Sequence, residues 1–195
     1  MKSKMFYKEI EIIISYSFKN KKMTPKASQS SSGIWQSIGP WNFDKGAASV
    51  SYAAGAAHIY TVEQSISNTD VLYAGTATAG VWKTMDKGLH WISLTDTLTI
   101  GSVVALEINF LNENTIYFGG GNDIYKSYDG GNYWQVIGDP TFQTLDIWCN
   151  DMVMDPTDTN RLFLATNIGL FLTTEGGNNF SSLLNGEIPM AMGLE

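Results

Sequence analysis

A short pattern that recurs three times constrains this chain more than any other feature. It reads Lys83-Thr84-Met85-Asp86-Lys87-Gly88-Leu89-His90-Trp91, then Lys126-Ser127-Tyr128-Asp129-Gly130-Gly131-Asn132-Tyr133-Trp134, then Thr173-Thr174-Glu175-Gly176-Gly177-Asn178-Asn179-Phe180. Each copy has a hydroxyl residue (Thr84, Ser127, Thr173) and an acid two places on (Asp86, Asp129, Glu175). A glycine (Gly88, Gly131, Gly177) and a large aromatic (Trp91, Trp134, Phe180) follow. The acids lie 43 and then 46 residues apart. Self-similarity at this period means that one supersecondary unit is being stacked on itself.

The flanking residues say what that unit is. Two short runs of apolar and β-branched residues lead up to each hydroxyl-acid turn, a third enters it, and a fourth leaves from the aromatic. In the first unit the runs are 57–63, 71–76, 81–84 and 91–94. In the second they are 102–110, 115–119, 124–128 and 134–138, and in the third 148–154, 161–166, 170–174 and 180–184. Turn formers separate the first two runs of each unit: Asn68-Thr69-Asp70, Asn112-Glu113-Asn114 and Asp155-Pro156-Thr157-Asp158. Four antiparallel strands per unit, repeated at this period, make blades of a β-propeller. The expected class is therefore all-β, with three four-stranded blades over about 46–96, 97–139 and 140–186.

The stretch Trp35-Gln36-Ser37-Ile38-Gly39-Pro40 matches Trp134-Gln135-Val136-Ile137-Gly138-Asp139, the last strand of a unit. It reads as an N-terminal closing strand, which places the propeller region at 33–190. Three units and one strand fall short of the roughly 4–8 blades of a closed ring. The expectation is an incomplete ring: either the chain is a fragment, or missing blades or further copies of it supply the rest. Residues 1–32 read as a degenerate leader or disordered tail, and 187–195 as a terminal tail.

The thrice-repeated pattern resembles the Asp-box, or BNR repeat, found in sialidases, xyloglucanases of the family 74 type, sortilin-like receptors and photosystem-assembly propellers. The resemblance implies that these turns are scaffold on the side away from the substrate face. The chemistry agrees. An Asp carboxylate accepts hydrogen bonds from nearby turn amides, glycine takes angles that other residues avoid, and the aromatic anchors the turn by packing. Three equivalent turns speak for a repeated structural device and against Asp86 and Asp129 as catalytic acids.

Composition removes several functional classes. A net charge of −7 with no basic stripe after residue 26 opposes nucleic-acid binding. The run Ile12-Ile13-Ile14 is too short to span a bilayer, and Glu9 and Glu11 spoil it as a signal sequence. Secretion or surface display is expected only on that leader-like start. The single cysteine, Cys149, forbids an internal disulfide and reads as a buried, inert thiol. His58 and His90 do not make a metal-ligand pattern, and no phosphate-cradling glycine motif precedes a helix, so neither metal nor cofactor is expected.

Function is expected on the loops 77–80, 120–123 and 167–169 and on the inter-blade segments 95–101 and 139–147. They carry Asp96, Asp123, Asp139 and Asp146, with Asp151, Phe142 and Trp148 close by. Asp146 and Asp151 are the candidates for a carboxylate pair of the kind that flanks a glycosidic bond. Core packing is the first expectation for Trp148, and stacking on a sugar ring the alternative. The sialidase resemblance implies a triad of arginines, which the single Arg161 cannot supply. Around residues 73–83 the chain resembles xyloglucanases, whose catalytic Asp follows a Thr in a similar stretch. Here that place is Ala77, which has neither proton nor lone pair to offer. The leading expectation is a non-catalytic module that binds a protein or carbohydrate ligand through its loop face. A hydrolase fragment with an incomplete active site and a photosystem-assembly type propeller stand behind it.

Overall fold

The structure, a computed structural model, describes residues 58–183. The stretch at 35–40, the segment 1–32, the start of the first unit before 58 and the tail 187–195 lie outside the described residues. The described chain forms three separate four-stranded antiparallel sheets, each a meander of consecutive strands. The first holds β1 (Ile59–Gln64), β2 (Leu72–Thr76), β3 (Val81–Thr84) and β4 (Ile92–Ser93). The second holds β5 (Val103–Ile108), β6 (Ile116–Gly120), β7 (Asp123–Ser127) and β8 (Gln135–Val136). The third holds β9 (Cys149–Asp155), β10 (Asp158–Thr166), β11 (Gly169–Thr173) and β12 (Ser181–Ser182).

These boundaries follow local chemistry. Between the first two strands of each sheet a side-chain carbonyl or carboxylate closes an Asx turn: Asn68 on the Asp70 N–H, Asn112 on the Asn114 N–H, and Asp155 on the Thr157 N–H. The third of these turns is tighter than expected, so β10 begins at Asp158 rather than 161. One element departs from the expected loop at 139–147. Residues Pro140–Gln143 form a helical turn, α1, because Pro140 sits in its first turn and the Asp139 carboxylate accepts from the Thr141 and Phe142 N–H groups at 2.7 and 2.9 Å.

The core lies between the sheets, not within one. Tyr73, Val81, Leu106, Phe118 and Trp134 belong to one buried cluster, drawn from the first and second sheets. Ile124, Ile137, Phe142, Met152, Leu162 and Phe171 belong to another, drawn from the second and third sheets and α1. A middle strand is thus covered on both faces, and all five residues of β6 are buried. This is the expected economy of stacked blades, each of which hides its neighbour's apolar face.

A polar link also crosses each junction. Lys83 sits opposite Tyr73 in the β2–β3 register, and its Nζ donates to the Gly130 carbonyl in the turn of the second sheet at 3.2 Å. Lys126, opposite Tyr117, donates to the Gly176 carbonyl in the turn of the third sheet at 2.7 Å. Both lysines are buried, and their ammonium groups lie over the tyrosine rings at 5.2 and 4.9 Å from the centroids, within cation–π range. In the third sheet the same register pairs Phe163 with Leu172.

Candidate functional site

In a meander, alternate loops fall at opposite ends. The turns after the third strands lie beside the loops after the first strands. Lys87 N–H donates to the Asp70 carbonyl, Gly130 N–H to Asn114, and Gly176 N–H to Asn160. The hydroxyls Thr84, Ser127 and Thr173 each accept the N–H of Gly88, Gly131 and Gly177, at 2.9, 2.9 and 3.0 Å. Asp86 and Asp129 accept the N–H of His90 and Tyr133, both at 2.9 Å. Glu175, one methylene longer, instead takes the Asn179 side-chain amide at 2.7 Å. The indoles of Trp91 and Trp134 donate to the Gly88 and Leu94 carbonyls, and Phe180 stacks on Phe142.

The opposite end carries the loops after the second strands and the connections between sheets. Its most prominent side chain is Trp148, 61% exposed just before β9. Core packing for Trp148 is therefore overturned. Its neighbours Ile147 and Cys149 take the inward positions, and the indole points outward yet is held. Its Nε1–H donates to Asn122 Oδ1 at 3.0 Å, across the junction between the second and third sheets. Its backbone N–H donates to Asn167 Oδ1 at 2.7 Å, and the Asn167 amide donates to the Asp146 carbonyl at 3.1 Å.

Below the indole lies an open cleft of about 290 Å³, lined by Tyr60, Ser102, Val104, Gly119, Gly121, Trp148, Cys149 and Asn150. Three sheets contribute, through β1, β5–β6 and β9. The lining holds no charged side chain. Burial, with the nearby Asp151 charge second, pushes the Cys149 thiol up to about 12, so it is no nucleophile at neutral pH.

None of the nominated acids lines this cleft. Asp146 is exposed and enters the Trp148 network through its backbone carbonyl. Asp151 is exposed on β9, with Oδ1 accepting the Met152 N–H at 2.9 Å. Asp123, half-buried, opens β7 opposite Gly120 and helps push the Tyr125 phenol upward, after burial. Asp96 accepts from the Ser93 hydroxyl, and Asp139 caps α1. Ala77 is fixed by its N–H on the His58 carbonyl. Sequence reasoning passed over Tyr60, Asn122, Asn150 and Asn167, which meet only because three sheets converge. Among the described residues, no three His, Cys, Asp or Glu side chains are grouped to hold a metal ion, and no helix is long and apolar enough to cross a membrane.

Neither a family model nor a curated protein matches the chain. Solved structures do. An ancestral GH74 enzyme superposes with a TM-score of 0.55 at 19% identity, over 66% of this chain and 18% of its own. The Niastella koreensis GH74 enzyme gives 0.56 at 18%, over 65% and 22%. YCF48 bound to D1 peptide gives 0.50 at 19%, over 65% of this chain and 40% of YCF48.

The fold is a β-propeller.

The described residues supply three of its blades, and the chain spans 18% and 22% of the length of the two GH74 enzymes. The cleft at Trp148 thus lies where inner strands of neighbouring blades meet, at the end of the propeller opposite the repeated turns.

Proposed function

We propose that this protein is a binding module that takes a protein segment or a glycan at the Trp148 face. The observation that carries this reading is the state of that indole, which is exposed and yet tied at both its ring nitrogen and its backbone. A tryptophan held in place without being buried offers a wide apolar face whose ordering cost is already met. The uncharged lining suits a neutral ligand. The Asn150 amide and the Ser102 hydroxyl of the lining suit sugar hydroxyls or peptide groups, as does the Asn122 amide bonded to the Trp148 indole. The peptide held by YCF48 and the GH74 enzymes among the similar structures support the two ligand classes in turn.

A non-catalytic role is supported by the carboxylate-free cleft and by Ala77 at the place where the resemblance puts an acid. The second reading, a glycoside hydrolase fragment, rests on the likeness to GH74 enzymes. Release of reducing ends from a β-glucan, lost in Asp146→Asn or Asp151→Asn, would replace the first reading with this one.

The first reading is tested by titrating the protein with a neutral β-glucan oligosaccharide and, separately, with an uncharged extended peptide. Saturable binding of one of them, weakened about tenfold or more by Trp148→Ala and less by Asn122→Ala, is the expected result. Binding that is indifferent to both substitutions, or no binding of either probe, overturns it.

A further inference from the structure

The opposite end of the propeller carries a second surface. Six large apolar side chains stand out from its loops in the first two blades: Ile66, Met85, Leu89, Leu111, Tyr128 and Tyr133. Their exposure runs from 57% for Tyr128 to 78% for Ile66. Single exposed apolar residues are ordinary, but these lie on four loops that hydrogen bonds join in series. The turn carrying Met85 and Leu89 is tied to the loop of Ile66 through the Lys87 N–H and the Asp70 carbonyl at 3.0 Å. That loop is tied to the loop of Leu111 by the Ser67 hydroxyl on Glu113 at 2.7 Å. The Leu111 loop is tied in turn to the turn of Tyr128 and Tyr133 by the Gly130 N–H on the Asn114 carbonyl at 2.9 Å. The Tyr73 hydroxyl on the Glu113 carbonyl and Lys83 on the Gly130 carbonyl pin the same loops from below. The six side chains thus stand on a strip of four loops that hydrogen bonds hold beside one another. In the third blade the repeated turn carries Thr174, Asn178 and Asn179 at the places of Met85, Leu89 and Tyr133, all polar. The repeat itself therefore does not require apolar loop tips.

The rim of the strip is acidic, with Asp70, Asp86, Glu113 and Asp129 against Lys87 and His90. We infer that this strip is a docking surface for a protein partner that presents an amphipathic segment with an apolar ridge and flanking basic residues. An acidic rim disfavours an anionic lipid surface and a second copy of the same strip by like-charge repulsion. The surface is independent of the Trp148 cleft, which lies at the other end of the blades.

The probe is a synthetic leucine–lysine amphipathic helix, with a leucine–glutamate helix and phosphatidylcholine–phosphatidylglycerol vesicles in parallel. Expected are saturable binding of the leucine–lysine helix alone and a loss of about tenfold or more in a Leu111→Ser, Tyr133→Ser double variant that melts like the parent. Trp148→Ala binds this probe unchanged. Four results overturn the inference: no binding of the basic helix, binding unaffected by the double variant, binding of the vesicles in its place, or a concentration-dependent dimer that the same double variant abolishes.

Discussion

Lys126 reaches out of its own blade to donate to the carbonyl of Gly176 in the next, at 2.7 Å, with its ammonium 4.9 and 4.3 Å from the Tyr117 and Tyr128 ring centroids. The same construction joins Lys83 to Gly130. A buried cation is tolerated here because a turn carbonyl and aromatic faces replace its water. Lys126→Met keeps most of the stem but removes the short donor to the Gly176 carbonyl, leaving only the 3.5 Å contact from the Tyr117 hydroxyl. Urea unfolding is expected to show a loss of about 2–3 kcal/mol. The parallel change Leu172→Met, in the blade whose register pairs Phe163 with Leu172, costs less than about 1.5 kcal/mol.

Gly177 has φ +100°, and a Cβ there would lie 2.5 Å from Ile137 Cδ1 in the preceding blade. Gly177→Ala is expected to cost about 2–4 kcal/mol from backbone strain and overpacking together. Ile137→Val removes the clashing methyl. In a double-mutant cycle the alanine is then expected to cost roughly 1–2 kcal/mol, the strain alone. Additive single effects would mean that the close approach does not govern this junction.

Asp86 is held down from the ordinary carboxyl value of 3.8 to about 2, first by the His90 backbone N–H, then by the His90 side chain and the Thr84 hydroxyl. Asp129 is shifted downward in the same way by the Tyr133 N–H and Ser127. A depressed folded-state value means that the stabilisation is present above 3.8 and is lost as pH falls through about 2. The melting temperature should therefore drop across that window. Asp86→Asn, which keeps an oxygen acceptor, should shrink the drop, measured by thermal melts at matched ionic strength. An unchanged drop would remove Asp86 from the cause.

Cys149 is buried, its thiol pushed up to about 12. Its reaction with a disulfide reagent at pH 8 is expected to follow the unfolding rate and to accelerate in mild denaturant. A fast reaction in the native protein would show that the cleft floor opens locally.

The blades were legible because their signals are local. Each hydroxyl-acid-glycine turn acts within five residues, and short apolar and β-branched runs flank it on both sides. The helical turn α1 was not read, because its four residues are too few to show a helical period and its cap Asp139 stood inside an expected loop. The Lys126 clip was not, because its partner lies 50 residues away and depends on how two sheets stack. The cleft was legible only in part. Trp148 drew notice as an aromatic, but its outward pose depends on Asn122 and Asn167, 26 and 19 residues away. The acids drew notice by charge, whereas the cleft lining is built from neutral groups.

The most direct test of the Trp148 face is the indole N–H signal of that residue in a ¹H–¹⁵N spectrum of the full chain, assigned by comparison with Trp148→Phe. Saturating addition of a neutral β-glucan oligosaccharide or an uncharged extended peptide should shift this signal together with the side-chain amide of Asn122, while the indoles of Trp91 and Trp134 stay in place. A probe that binds saturably but leaves the Trp148 and Asn122 signals unmoved would contradict the assignment of this face as the binding site.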